Sequence, residues 1–242
     1  MGIAVRARAD GKWCSDVEFT RVQVHNWPGV SIRVRKGSGV NYTDVKSVNP
    51  SRGGIIFNTS QDLDLLRVIS TDLGDDAIAF YVTGTDSSNP RTNRPVRRIT
   101  MDSCVSYSRG NTEFGAALKF AGAWEARGAN CTFRNSKNSL VYFRTFPGGF
   151  NPRDITVKDS KMLRGQKDSF QIVADKALGI SARRNYMERP SRHCVGIQSL
   201  TEAARGFDVT IADNVLVKPG SGTYIDVQPN LSGVRTSGNT RR

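Results

Sequence analysis

The sequence has little of what marks several classes of protein. Its 242 residues include two histidines and four cysteines, and these do not have the spacing of a zinc site. No apolar run approaches the length of a membrane-spanning helix, and the first residues carry no apolar segment typical of a signal peptide. No helical periodicity and no Pro- or Ser-rich linker is visible. We therefore expect a single strand-built domain over residues 1–242.

A repeat of short strands runs along the whole sequence. Nine β-branched runs each end at a marker residue, usually Ser or Asn, that precedes a turn. The markers are Val24, Ser47, Ser70, Ser103, Asn130, Ser160, Asn185, Asn214 and Asn239. Their spacing of 23 to 33 residues is typical of a solenoid whose stacked coils bury one continuous core. Ser and Asn at equivalent turns also predict a hydrogen-bonded ladder along the axis.

The charge is strongly basic. Lys and Arg outnumber Asp and Glu by 35 to 22, which gives a net charge of +13 spread over the whole length. Such a surface attracts polyanions such as acidic polysaccharide or nucleic acid. Nucleic acid is an unlikely partner, because basic and aromatic residues interleave only weakly on any one strand face. A diffusely basic, solvated surface without a ligand explains the charge equally well.

The coil pattern resembles a known superfamily. Three-strand coils with a Ser or Asn turn marker resemble the right-handed parallel β-helix of the pectin-lyase-like superfamily over roughly residues 15–240. The segment Gly74-Asp75-Asp76-Ala77-Ile78-Ala79 is similar to a motif of polygalacturonase-type glycoside hydrolases and phage tailspike depolymerases. The resemblance implies an all-β, right-handed, single-stranded parallel β-helix of about eight to nine coils. It also implies that the Asp pair belongs to a catalytic carboxylate cluster.

The sequence departs from the hydrolase motifs at three places. The position of a further family Asp is occupied by Ser51-Arg52-Gly53, and Glu113-Phe114-Gly115 stands in place of a Gly-His-Gly. No counterpart of the family's Arg-x-Lys strand is evident. His193, the best-matching histidine, lies four coils later, roughly 19 Å away at about 4.8 Å per coil. His25 and His193 are therefore expected to be surface turn residues, and the polygalacturonase reaction is not transferred unchanged.

The acidic residues of the motif are the candidate catalytic groups. Glycoside hydrolysis requires one carboxylic acid to protonate the leaving oxygen and one carboxylate to act on water or the sugar. We predict Asp75 and Asp76 for this cluster, with Asp72 or Glu113 as the second carboxylate. Ordinary turn chemistry is the alternative, since Asp168 occupies the same place in another coil. Clustered Asp residues also permit a calcium-assisted lyase, and no other metal or cofactor is expected.

A groove for sugar is predicted beside these acids. Aligning the inward residues of the coils places polar and aromatic side chains on the outside of one sheet, beside the long insertions 83–95, 144–152 and 199–206. The predicted substrate-binding residues are Arg52, Asn58, Tyr81, Lys119, Tyr142, Arg144, Gln171 and Gln198. Phe146 and Phe150 are expected, with the two tyrosines, to stack on sugar faces.

Three functions remain open from the sequence. The first is an enzyme that cleaves a polysaccharide, with an acidic glycan and hydrolysis favoured over lyase chemistry. The second is a phage tailspike or tail-fibre segment, a possible homotrimer that grips host surface glycan. The third is a non-catalytic structural β-helix. The pattern begins and ends inside coils, which predicts a segment of a longer chain or assembly, located outside the cell or on a virion surface.

Overall fold

Three parallel sheets make up the molecule. The computed structural model describes residues 2–6, 12–82, 94–108, 115–145, 150–201 and 206–242. Within these ranges the chain is all-β, with twenty-seven strands and no helix. Each sheet has nine parallel strands, and successive strands of one sheet come from successive coils. The prediction of an all-β parallel β-helix of about eight to nine coils is therefore confirmed.

The strand bounds follow the repeat. Sheet 1 comprises β1 (Ile3–Val5), β4 (Ile32–Arg35), β7 (Ile55–Asn58), β10 (Ile78–Tyr81), β13 (Leu118–Ala121), β16 (Val141–Arg144), β19 (Phe170–Ala174), β22 (Val195–Ser199) and β25 (Ile225–Val227). Sheet 2 comprises β2 (Cys14–Thr20), β5 (Gly37–Thr43), β8 (Gln61–Leu66), β11 (Val96–Asp102), β14 (Ala123–Ala129), β17 (Arg153–Lys158), β20 (Ala177–Arg183), β23 (Phe207–Ala212) and β26 (Val234–Ser237). Sheet 3 comprises β3 (Gln23–His25), β6 (Lys46–Val48), β9 (Ile69–Leu73), β12 (Val105–Ser108), β15 (Thr132–Arg134), β18 (Lys161–Leu163), β21 (Tyr186–Glu188), β24 (Val215–Val217) and β27 (Thr240–Arg241).

One left-handed residue per coil makes the corner between sheets 2 and 3. Their φ angles lie between 50° and 61° at Arg21, Asp44, Arg67, Ser103, Asn130, Asp159, Arg184, Asp213 and Gly238. This conformation costs least for Gly, Asn and Asp, which fill five of the nine positions, so the chain can change direction within one residue. Two of the three arginines in this column pair with aspartates one coil earlier: Arg67 with Asp44 at 2.6 Å and Arg184 with Asp159 at 2.7 Å.

The marker residues do not share one register position, so this part of the repeat prediction is wrong. Ser103 and Asn130 lie in the left-handed corner, whereas Asn185 and Asn214 lie one residue later in the coil. Ser47, like Ser70 and Val24, lies two residues later again. The period was nevertheless visible in the sequence, because small polar residues recur both at the corner between sheets 2 and 3 and inside the strands of sheet 3 that follow it.

The predicted ladder exists at the asparagine position. The backbone N–H of Ser160 donates to Oδ1 of Asn185 at 3.1 Å, and that of Asn185 to Oδ1 of Asn214 at 2.9 Å. The N–H of Asn214 donates in turn to Oδ1 of Asn239 at 3.0 Å. The same position is taken by Val22, Val45, Val68, Cys104 and Cys131 in the earlier coils. The N–H of Cys131 likewise donates to Oγ of Ser160 at 3.1 Å, so the ladder spans the last five coils.

A column of aromatic rings supports sheet 1 from inside. Phe80 stacks on Phe57 and on Phe120, with ring centroids 5.2 and 5.4 Å apart, and all three are buried. The column continues through Phe143 and Phe170 at 5.1 and 4.9 Å. Each such contact adds about 0.5–1.5 kcal/mol beyond the burial of apolar area. The strands that carry the candidate site thus rest on a well-packed base.

Candidate functional site

The outward side chains of sheet 1 form two straight rows. The strand register places residues of successive coils directly above one another, about 4.8 Å apart. The central row is Arg33, Ile56, Ala79, Lys119, Tyr142, Gln171, Gly196 and Asp226. The lateral row is Arg35, Asn58, Tyr81, Ala121, Arg144, Val173 and Gln198. The predicted outward orientation of this face is therefore confirmed.

A groove crosses the middle of this face. A depression of about 370 Å³ is lined by Asp75, Asp76, Tyr81, Lys119, Ala121, Arg144 and Thr145. A second depression of about 250 Å³ is lined by Lys119, Asn138, Tyr142, Arg144, Lys167, Gln171, Val173 and Leu200. Because the two share Lys119 and Arg144, they form one continuous surface, called here the sheet 1 groove. Long side chains project around the small Ala121, which leaves the space open.

Asp76 and Lys119 form an ion pair at the base of the groove. Oδ2 of Asp76 lies 2.9 Å from Nζ of Lys119, and Oδ1 accepts a hydrogen bond from the backbone N–H of Ala116 at 2.9 Å. The side chain of Asp76 is 7% exposed and that of Lys119 is 20% exposed. Both carboxylate oxygens are thus occupied, and the ammonium is held at the edge of the solvent.

The surroundings shift the pKa values of this pair. Burial raises the pKa of Asp76, and the Lys119 ammonium and the Ala116 amide oppose that shift. Burial disfavours the charged form of Lys119, but the carboxylates of Asp76 and Asp75 outweigh it and raise the pKa of the lysine. The raised pKa of Lys119 keeps its amine protonated at neutral pH. Burial also raises the pKa of Tyr142.

Asp75 differs from its neighbour in sequence. Its side chain is half-buried and lines the groove. Its carboxylate has no hydrogen-bond or ion-pair partner within the described ranges, in contrast to that of Asp76. Of the two predicted acids, Asp75 is therefore the one able to touch a ligand, whereas Asp76 holds Lys119 in place.

Some of the predicted sugar-binding residues line the groove, whereas others hydrogen-bond to the protein beneath it. Tyr81, Tyr142 and Arg144 line the groove. Asn58 is buried and donates through Nδ2 to the carbonyl of Tyr81 at 3.3 Å. Gln171 lines the groove and accepts a hydrogen bond from the hydroxyl of Ser139 at 2.6 Å through Oε1, which fixes the orientation of its side-chain amide.

Two predicted residues lie toward the ends of the face. Gln198 occupies the lateral row two rungs beyond Arg144. Arg52 is exposed, and it lines a separate depression of about 450 Å³ together with Arg33. Neither Arg33 nor the groove residue Lys167 was selected from the sequence. A cation at an outward position was the available signal for both.

Other predicted residues fall outside the described part of the chain. This holds for Glu113, Phe146 and most of the three long insertions. Asp72 belongs to β9, but its side chain is likewise outside what the structure describes. Phe150 is described and packs against Trp124, with ring centroids 6.3 Å apart.

His193 and Asp168 lie away from the groove's acids. His193 occupies the position of Asp76 four coils later, and its Nδ1 accepts a hydrogen bond from the backbone N–H of Thr223 at 3.0 Å. Asp168 occupies the same position three coils after Asp76, as the sequence predicted. It is fully buried, and its Oδ1 accepts from the N–H of His193 at 3.1 Å.

The described residues around Asp76 are not arranged to hold a calcium ion. Both oxygens of Asp76 are bonded to donors, and the ammonium of Lys119 occupies the space beside them. The described residues contain no group of three or more His, Cys, Asp or Glu arranged to hold a metal. They also contain no helix of the length and apolar character that crossing a membrane requires.

Solved structures show the same architecture. The periplasmic alginate epimerase AlgG matches with a TM-score of 0.77 and 8% identity, over 99% of this chain and 55% of that protein. The Dettilon tailspike protein matches with a TM-score of 0.64 and 11% identity, over 87% of this chain and 41% of the tailspike. An alginate lyase from Paenibacillus sp. str. FPU-7 matches with a TM-score of 0.63 and 11% identity, over 98% of this chain and 82% of the lyase.

The chain has the parallel β-helix fold of these proteins. At these sequence identities the similarity establishes architecture alone. No protein-family model matches the sequence, and no curated protein matches it. The chain spans about half the length of the epimerase, at 55%, and less of the tailspike, at 41%. The activity of this β-helix therefore depends on the residues of its own groove.

Proposed function

We propose that this chain binds an extended acidic polysaccharide in the sheet 1 groove and cleaves it, with hydrolysis favoured. The observation that carries the proposal is the buried Asp76–Lys119 ion pair beneath an accessible carboxylate, Asp75, in the groove's larger depression. The pair fixes a cation beside the reacting position. Asp75 then stands where a catalytic acid or base can reach a glycosidic oxygen or a water molecule.

The charges of the groove favour an anionic sugar. Arg144 and Lys167 have no ion-pair partner within the described ranges, whereas Arg67 and Arg184 on other surfaces are paired with aspartates. Unpaired cations beside a concave surface attract carboxylate-bearing ligands and orient them. Lys119, already partly neutralised by Asp76, is suited to contact one sugar carboxylate without binding it so tightly that release is prevented.

The direct roles follow from these contacts. Asp75 is the proposed proton-transfer group, and Lys119 and Arg144 bind substituents of the sugar. Asp76 is a positioning residue for Lys119. Hydrolysis requires a second carboxylate, and Asp72 and Glu113 remain the predictions for it. Tyr81 and Tyr142 present rings and hydroxyl groups along the same surface. Several solved structures with this fold belong to polysaccharide-acting enzymes, which supports the class of substrate.

Binding without cleavage is the second candidate. Both carboxylate oxygens of Asp76 accept hydrogen bonds, from the backbone of Ala116 and from Lys119. In this candidate function Asp76 only holds Lys119 in place and takes no part in a reaction. Such a chain would grip a surface glycan as a segment of a homotrimeric tailspike, outside the cell or on a virion. The similarity to a tailspike protein supports this context. The mass of the protein in solution separates a trimer from a monomeric enzyme.

Calorimetric titration with a uronic-acid hexasaccharide and a neutral glucan hexasaccharide tests the binding claim. The acidic ligand should bind more tightly, and Arg144→Gln should weaken its binding by about tenfold, equivalent to about 1.4 kcal/mol. Arg134→Gln is the matched control, because Arg134 is exposed in sheet 3. Equal binding of both ligands, or an unchanged affinity in Arg144→Gln, would contradict an anionic ligand in this groove.

A further inference from the structure

Two arginines border a depression near one end of the same face. The depression, of about 450 Å³, is lined by Pro28, Gly29, Val30, Arg33, Ser51 and Arg52. Arg33 lies in β4 and belongs to the central row. Arg52 precedes β7 by three residues, which is the position that Asp75 holds before β10. The depression therefore lies in line with the sheet 1 groove and begins one coil before its acids.

Neither arginine has a counter-ion. Within the described ranges no carboxylate pairs with Arg33 or Arg52. The Nε of Arg33 is shielded from solvent and has no hydrogen-bond partner. A buried cationic donor without an acceptor is costly, so native structures normally supply a partner. The guanidinium of Arg33 is therefore suited to bind an anionic group of a ligand.

The protein itself shows how such an arginine is satisfied. Arg67 binds Asp44 through both Nε and Nη2, at 2.6 and 2.8 Å. Arg98 binds Asp62 through the same two nitrogens. The planar guanidinium fork matches a carboxylate or sulfate group through two parallel hydrogen bonds. The free Nε of Arg33 is one half of this fork.

We propose that Arg33 and Arg52 form a distal subsite that binds an anionic substituent, a carboxylate or a sulfate ester, of a polysaccharide lying along the groove. The inference rests on the proposed function and specifies its substrate further. Arg33 stands three rungs before Lys119 in the central row, about 14 Å away at the ordinary spacing of strands. Ile56 and Ala79 lie between them and carry no charge. One ligand must therefore be several sugars long to reach both cations.

Length dependence gives the test. Calorimetric titrations of a uronic-acid disaccharide and of the hexasaccharide would be compared for the wild-type protein, Arg33→Gln and Arg52→Gln. Each variant should weaken hexasaccharide binding by about tenfold and leave disaccharide binding unchanged, because the short ligand cannot span both regions. Arg52 is exposed, so its variant tests the site even if Arg33→Gln folds poorly. A sulfated neutral hexasaccharide in a parallel titration distinguishes the two anions.

The outcomes separate the subsite from the groove. Hexasaccharide affinity equal to wild type in both variants would overturn the subsite, and a continued loss in Arg144→Gln would leave the proposed function standing. Equal losses for disaccharide and hexasaccharide would also overturn it, since the arginines would then not act at a distance. Failure of the wild-type protein to bind any acidic ligand would overturn both. Arg134→Gln should bind as the wild type does.

Discussion

The ammonium of Lys119 lies 2.9 Å from Oδ2 of Asp76, one coil below it, and both side chains are largely removed from solvent. This contact explains why two adjacent aspartates behave differently. Asp76 is turned into the protein and occupied, whereas Asp75 faces the groove without a partner in the described chain. The Asp-Asp motif thus combines a positioning residue with an accessible acid.

Asp75→Asn should abolish most of any turnover while leaving ligand binding intact. A carboxamide keeps the shape of the side chain but cannot transfer the proton, a loss worth about 10²- to 10⁴-fold in rate. Rate and affinity should be measured separately on the same oligosaccharide. Asp168→Asn is the matched control, since Asp168 occupies the position of Asp76 three coils later, outside the groove lining. Full turnover in Asp75→Asn would remove this residue from the chemistry.

Lys119→Met should destabilise the protein, because it leaves the buried carboxylate of Asp76 without its counter-ion. Removing one partner of a buried ion pair typically lowers the free energy of unfolding by about 3–5 kcal/mol. Because Lys119 is partly exposed, we expect a loss of about 3 kcal/mol. Urea unfolding at neutral pH measures it. The double variant Asp76→Asn/Lys119→Met should recover much of this loss. Strictly additive effects of the two substitutions would show that the pair is not coupled.

Asp168→Asn should raise stability at neutral pH. Burial raises the pKa of Asp168 above its ordinary value of 3.8, although the backbone N–H of His193 and the charge of Arg192 oppose the shift. The folded protein therefore holds this proton more tightly than the unfolded chain, and stability falls as pH rises through the folded pKa. The advantage of the variant should be present at neutral pH and vanish below pH 3.8. Melting temperatures of the variant and of the wild-type protein would be measured across this pH range. A difference between the two proteins that did not change with pH would contradict the prediction.

Asn214→Ala should weaken the ladder between sheets 2 and 3. The side chain of Asn214 accepts from the N–H of Asn185 at 2.9 Å and donates to the carbonyl of Ala182 at 3.0 Å. Truncation leaves buried backbone groups unsatisfied, at a cost of at least about 2 kcal/mol in the free energy of unfolding. Asn26→Ala is the control, because its exposed side chain makes one contact with Asn49. Equal losses in the two variants would contradict a structural role specific to the ladder.

The sequence predicted the architecture better than the details of its turns. Alternating inward residues such as Ile78 and Phe80 are dictated by the strand period, so coil number, sheet and groove face could be derived. The register of the marker residues could not be derived, because small polar residues occur both at the corner and inside the following strand, so Ser103, Asn185 and Ser47 looked equivalent. Only the pairing of strands distinguishes them.

The sequence predicted which residues form the candidate site but not what each of them does there. The motif and the register brought Asp75, Asp76 and Lys119 together on one face. That Asp76 is buried and paired depends on the side-chain packing of the next coil, which one sequence does not reveal. The sequence also did not predict Arg33 as a binding residue. Its Nε is buried without a hydrogen-bond partner, and this can be recognised only from the three-dimensional structure.

A cleavage assay on acidic and neutral polysaccharides tests the central claim most directly. New reducing ends and absorbance of unsaturated uronate would be recorded for the wild-type protein and for Asp75→Asn, with and without added calcium. We expect new reducing ends from an acidic polysaccharide, without unsaturated products, independent of calcium and lost in Asp75→Asn. No product from any acidic polysaccharide, or full activity in Asp75→Asn, would contradict this expectation.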